Sequence, residues 1–209
     1  VYSVPGSRIR PIYDGLSRVK SIRMVTCKQE PNVSLMADAY GRLTGKPGVC
    51  IVTAGPGCIN SMAGVAQAYG AASPMVHISG AVPLNADREA FHGVDDPAFI
   101  HEMFKKVTKW SARVERIEDI PGVMAKAFHT ARSGRPGPVL VDLPKDVTTA
   151  ICPEDVDATP RDHILKRRRT ALTGGTQKQV MDAAELINRS ERPVLYVGGG
   201  AVIAGASEA

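Results

Sequence analysis

Two short stretches hold residue types and spacings that can do chemistry. In the first, Glu30 stands directly before Pro31 and just after the apolar run Ile22–Cys27, at the kind of strand-end to helix-start junction where open α/β sheets bind ligands. From position alone the same carboxylate also reads as an N-cap or first-turn charge answering a helix dipole. The second stretch is Thr53-Ala54-Gly55-Pro56-Gly57-Cys58-Ile59-Asn60, where a strand end passes through a Gly-Pro-Gly turn into a helix. Such a turn exposes backbone N–H groups and lets a ligand approach with no Cβ in the way. It is equally an ordinary tight turn, and it lacks the G-x-x-x-x-G-K-[ST] spacing of a P-loop.

The elements that must position these residues follow from the alternation of short β-rich runs with helical patterns up to about residue 147. Strands are expected at Val1–Val4, Ile22–Cys27, Val49–Thr53, Met75–Ser79 and Val139–Asp142, with Lys106–Arg113 extended as well. Most are continuous apolar runs, as in parallel strands buried on both faces. Helices are expected from Pro31, just after Glu30, to Gly45, from Cys58 to Tyr69, and from Ile117 to Arg132 before Ser133-Gly134, on helical spacing and on start and stop signals. The fold class is therefore α/β, a parallel sheet flanked by helices. From Thr148 the texture turns to Pro, Asp, Thr and Arg with one amphipathic helix, Gln177–Asn188, which reads as a linker over 148–190. Arg192-Pro193-Val194-Leu195-Tyr196-Val197 then reads as a buried strand running into the turn Gly198-Gly199-Gly200, the opening of a second, truncated α/β domain over 191–209. Both ends of the chain are expected to be cut.

Composition narrows the function class. The chain has 209 residues, 44% hydrophobic and 22% charged, a soluble globular balance. Its net charge of +5 owes four units to Lys166-Arg167-Arg168-Arg169; with no aromatic residues interleaved, that run reads as a solvated linker face and not as a nucleic-acid patch. The four cysteines, Cys27, Cys50, Cys58 and Cys152, form no C-x-x-C pair and no ligand spacing with the five histidines, so neither zinc nor a disulfide framework is indicated. No apolar run approaches the roughly 20 residues that span a bilayer. A cytoplasmic protein is expected.

Taken in order, Val4-Pro5-Gly6, Gln29-Glu30, Met36-Ala37-Asp38-Ala39-Tyr40-Gly41-Arg42, Thr44-Gly45-Lys46-Pro47-Gly48-Val49, Thr53–Gly57 and Ser133-Gly134-Arg135-Pro136-Gly137-Pro138-Val139-Leu140-Val141-Asp142-Leu143-Pro144-Lys145-Asp146 resemble the pyrimidine-binding domain of thiamine diphosphate enzymes of the acetolactate synthase type. The resemblance covers residues 1–147, and the linker with Arg192–Gly200 resembles the start of that family's central domain. It implies that Glu30 binds N1′ of the cofactor's aminopyrimidine ring and stabilises its imino form, whose 4′-nitrogen takes the thiazolium C2 proton to give the nucleophilic ylid. It further implies that Pro5 and Gly6 lie near the pyrimidine. Thr53, Gly55, Pro56, Gly57 and Asn60 would line the pocket across a subunit interface of a homodimer or homotetramer. Lys109 and Gly198–Gly200 match positions that touch FAD in the flavin-containing members.

The implied reaction joins two molecules of pyruvate, a 2-oxo acid, into acetolactate with loss of carbon dioxide. Glyoxylate carboligase-like chemistry, another 2-oxo acid decarboxylation, and a non-catalytic assembly module of the same fold are the alternatives; retention of Glu30 argues against the last. The chain departs from the family pattern at Gln29, at Pro31 and at Phe91-His92-Gly93, where acetolactate synthases tend to show Phe-Gln-Glu. His92 stands either as an alternative acid/base or as a surface loop histidine. The Gly-Asp-Gly and paired asparagines that hold Mg2+ and the diphosphate are absent from these 209 residues, so those ligands are expected in a further, C-terminal domain, and this stretch alone is expected to be inactive.

Overall fold

The structure, a computed structural model, describes residues 1–86, 96–156 and 175–206. They divide into two compact units, Val1–Arg132 with Pro136–Arg168, and Ser133–Arg135 with Arg169–Ala209.

The first unit is built on one six-stranded sheet. Its strands are β1 (Tyr2–Ser3), β2 (Val25–Thr26), β3 (Gly48–Val52), β4 (Met75–Ala81), β5 (Trp110–Arg113) and β6 (Pro138–Pro144). They run in the order β2-β1-β3-β4-β6-β5, and every pairing is parallel. The connecting helices are α1 (Arg10–Ser17), α2 (Glu30–Thr44), α3 (Pro56–Gly70), α4 (Phe99–Phe104), α5 (Ile120–Arg132) and α6 (Lys145–Thr149). This is the parallel sheet flanked by helices that the apolar runs predict.

Alternate residues of each central strand enter opposite cores, which is why the runs read as continuously apolar. Ile51, Val76, Ile78, Val139 and Val141 pack with Ile9 and with Ala127 and Ala131 of α5. Cys50, Val52, Met75 and Leu140 face Val33 and Ala37 of α2, Cys58, Val65 and Ala68 of α3, and Phe104 of α4. The two faces are thus covered by different sets of helices.

The expected helices form with small shifts. α2 starts at Glu30 itself and stops at Gly45, whose φ of +65° is the left-handed cap geometry that glycine adopts without a Cβ penalty. A single turn over Ile117–Asp119 precedes α5. β6 runs directly into α6, which ends at Thr149. Strands β1 and β2 are shorter than the runs that announce them. Ile22, for example, is 40% exposed, because an apolar run becomes strand only as far as a neighbour pairs with it. α1 and α4 were not anticipated.

In the second unit, α7 (Gln177–Arg189) opens on a capping box in which Thr176 Oγ1 accepts from the Gln179 amide and the Gln179 side chain accepts from the Thr176 amide. The pairing satisfies two of the otherwise orphaned N–H groups of the first turn. The expected strand over 192–197 is not formed: its residues pair with no described strand, and Val194, Leu195, Tyr196 and Val197 are exposed. The physical reason is that a β run is defined by its ladder, and no ladder partner stands beside it among the described residues. The glycine turn instead begins a short helix, α8 (Gly199–Ile203). The Lys166–Arg169 run lies outside the described residues.

Candidate cofactor site

The chain leaves β1 in one direction to form β2, while β3 lies on its other side. The crevice between the C-terminal ends of β1 and β3 is therefore a topological switch point, the place where open α/β sheets take ligands. Pro5 and Gly6 follow β1, and Thr53 to Gly57 follow β3. The two loops touch: a Cβ on Gly6 would sit 2.3 Å from Thr53 Cβ, and the Arg8 amide donates to Thr53 Oγ1 at 3.4 Å. Gly55 turns the chain with φ +65° and ψ −124°, a conformation closed to residues with a side chain. Pro56 and Gly57 then open α3.

Glu30 is half-buried at the first position of α2, where the helix field favours an anion. Its Oε2 accepts from Asn60 Nδ2, one turn into α3, at 3.4 Å. Its Oε1 accepts no hydrogen bond among the described residues, and a Cβ on Gly57 would lie 3.5 Å from it. A carboxylate oxygen thus faces a backbone stripped of side-chain bulk by Gly55 and Gly57. The arrangement can hold a flat ring against the glycine turn while the carboxylate accepts a hydrogen bond from a ring N–H, and the residues present fit the aminopyrimidine of thiamine diphosphate.

What sets the Glu30 to Asn60 distance is the close contact of α2 with α3. A Cβ on Gly64 would meet Ser34 Oγ at 2.3 Å and the Leu35 amide nitrogen at 2.8 Å. Gly64→Ala is therefore expected to force the helices apart, lowering stability by about 1–3 kcal/mol and weakening thiamine diphosphate binding; a thermal melt and a cofactor titration check both.

Beneath the turn, a buried polar pair ties α3 to the sheet. Ser61 Oγ donates to the Cys58 carbonyl at 2.6 Å, which leaves its oxygen to accept from His77 Nε2–H at 2.7 Å. His77 Nδ1 is then buried with no hydrogen-bond partner among the described residues. Burial pushes the imidazole down to about 3, so the folded ring stays neutral while an unfolded chain protonates it below about pH 6.5. Its stability contribution is full above about pH 6.5 and is lost as pH falls toward about 3. Melting temperatures measured from about pH 7 down to about pH 4 should fall, with a slope that His77→Phe flattens. The sequence signal for His77 was an imidazole inside the apolar run of β4, and it was missed.

The structure therefore brings together Pro5, Gly6, Glu30, Thr53, Gly55, Pro56, Gly57 and Asn60. It does not bring Lys109 to them. Lys109 precedes β5, at the opposite edge of the sheet, and its Nζ donates to the Thr130 carbonyl at 2.5 Å. His92 lies outside the described residues.

Residues 1–109 match the family described as thiamine pyrophosphate enzyme, N-terminal TPP binding domain. The chain belongs to this family. Among curated relatives, it is 38% identical over 204 residues to the mitochondrial acetolactate synthase catalytic subunit of Saccharomyces cerevisiae, covering 96% of this chain and 29% of the relative. It is 37% identical over 203 residues to the acetolactate synthase isozyme 1 large subunit of Escherichia coli, covering 97% and 34%. It is 38% identical over 212 residues to the acetolactate synthase of Arthrospira platensis, covering 99% and 35%. The chain thus spans about a third of the length of the relatives it matches. No described helix is long and apolar enough to cross a membrane, and no group of three metal-ligating side chains occurs among the described residues.

Proposed function

We propose that this chain is the cofactor-activating part of a carboligase of the acetolactate synthase type, which joins two pyruvate molecules into acetolactate and releases carbon dioxide. The observation that carries the reading is Glu30 at the switch point, braced by Asn60 at 3.4 Å and facing Gly57. When bound, thiamine diphosphate supplies a nucleophilic carbon that also serves as electron sink. The chain's own residues do the rest. Glu30 accepts the hydrogen bond of the pyrimidine ring nitrogen and so holds that ring in its basic form. Thr53, Gly55, Pro56 and Gly57 shape the surface against which it lies, and Pro5 and Gly6 close the pocket from the β1 side.

Magnesium and the diphosphate are held by residues of a further domain, and FAD is a further cofactor of the enzyme. Residues 191–209 open a central Rossmann-like domain after the linker 148–190. The working unit is a homodimer or homotetramer with the site at the subunit interface, in keeping with the exposed Leu35, Met36, Tyr40 and Leu43 of α2 and Tyr69 of α3. His92 is a further acid or base of the reaction. The cytoplasm is the compartment.

The test is acetolactate formation from pyruvate by the intact gene product with thiamine diphosphate and magnesium, with and without FAD. Acetolactate is the expected product. Carbon dioxide without acetolactate would move the protein to another branch of the family, and no cofactor-dependent turnover of any 2-oxo acid would refute the reading.

A further inference from the structure

His77 stands in the middle of the sheet, in register with Cys50 of β3 and Leu140 of β6. It is fully buried, and its ring centroid lies 5.1 Å from that of Phe104. Cys50, Leu140 and Phe104 all belong to the apolar core that α2 and α3 cover. An imidazole in such surroundings lowers stability, because its Nδ1 has no hydrogen-bond partner among the described residues. A phenyl ring would fill the space without that loss. What the imidazole adds is direction, since apolar contact has no preferred orientation and a hydrogen bond does.

That direction is imposed on the start of α3. His77 Nε2–H meets Ser61 Oγ at 2.7 Å, and the Ser61 hydroxyl closes on the Cys58 carbonyl at 2.6 Å. Successive side chains on a helix are about 100° apart. With Ser61 held toward the sheet, Asn60 is turned toward the start of α2, where its Nδ2 donates to Glu30 Oε2 at 3.4 Å. That distance already exceeds the ordinary N–H···O range of about 2.7–3.2 Å, so a small roll of α3 breaks the contact. The packing at Gly64 sets how near α3 lies to α2; the pair of His77 and Ser61 sets which way α3 faces.

We propose that His77, acting through Ser61, is a positioning residue for cofactor activation: it fixes the roll of α3 that keeps the Asn60 amide on the Glu30 carboxylate. The proposal rests on the cofactor role proposed for Glu30 above. Variants of the intact gene product test it: Ser61→Ala, the double variant His77→Phe with Ser61→Ala, and Asn60→Ala alone and combined with each. The readouts are deuterium exchange at C2 of bound thiamine diphosphate, pyruvate KM, the melting temperature, and the Asn60 side-chain amide resonance of the cofactor-free protein.

Ser61→Ala strands the His77 N–H and is expected to lower both the melting temperature and C2 exchange, the latter about tenfold, the loss of one charge-assisted hydrogen bond. The double variant removes both polar partners at once, so its melting temperature should recover while exchange stays about tenfold slow and pyruvate KM stays within about twofold; a pair that served stability alone would give back both. The Asn60 amide resonance should move as far in the double variant as it does in Glu30→Ala. Adding Asn60→Ala should slow exchange no further than Asn60→Ala does by itself, because the pair acts through Asn60. If the double variant does not fold, Ser61→Ala with and without Asn60→Ala carries the same comparison. Exchange at the unsubstituted rate in the double variant, an Asn60 resonance that does not move, or losses that add to those of Asn60→Ala would overturn the proposal. Exchange without acetolactate formation would overturn only the function proposed above, and no C2 exchange in the unsubstituted protein would overturn both.

Discussion

Glu30→Gln is expected to lower thiamine diphosphate-dependent turnover of the intact gene product by roughly 10²–10⁴-fold, the range for loss of a positioned acid/base group. The substitution is nearly isosteric, and a glutamine oxygen can still accept from Asn60 Nδ2, which stands 3.4 Å from the carboxylate. Glu30 is also only half-buried, so stability should change by no more than about 0.5 kcal/mol. What disappears is the negative charge at the start of α2. A neutral amide accepts a weaker hydrogen bond than a carboxylate, and the ring nitrogen's protonated form loses its partner. Steady-state rates at saturating cofactor, set beside a thermal melt, separate the two effects. Turnover within about tenfold of the unsubstituted protein would contradict the assigned role.

Gly48→Ala is the substitution with the largest expected cost to the fold. A Cβ there would fall 2.0 Å from the carbonyl oxygen of Ala37 and 2.8 Å from its Cα, so the obstacle is the backbone of α2 and not a side chain that could swing away. Ala37 is fully buried in one of the two cores, which leaves the helix no slack against the sheet. Overpacking of this kind costs about 3 kcal/mol, or a melting temperature lower by about 6–12 °C for a domain of this size. Because α2 carries Glu30 at its start, cofactor affinity should fall with it. A melt that does not move would show that helix and strand are not in such contact.

The sequence carried the sheet well wherever a strand is buried on both faces. β3, β4 and β6 appear as continuous apolar runs because alternate residues such as Ile51 and Val52 enter different cores. It carried α2 equally well, since Pro31 and Gly45 mark its two ends. It was less informative where pairing decides. β1 and β2 shrink to two residues each, and Val194–Val197 have strand composition but no ladder. In the site, Glu30 and the Gly-Pro-Gly turn were legible from residue types and order. The contacts that give them meaning were not, because Glu30 with Asn60 and Ser34 with Gly64 are tertiary.

The most direct test of the central claim is the exchange of the thiazolium C2 proton for deuterium in thiamine diphosphate bound to the intact gene product, measured beside Glu30→Gln. Rapid exchange in the unsubstituted protein, slowed by about 100-fold or more in the variant, is the predicted result. Equal exchange rates in the two proteins, with the cofactor bound in both, would contradict it.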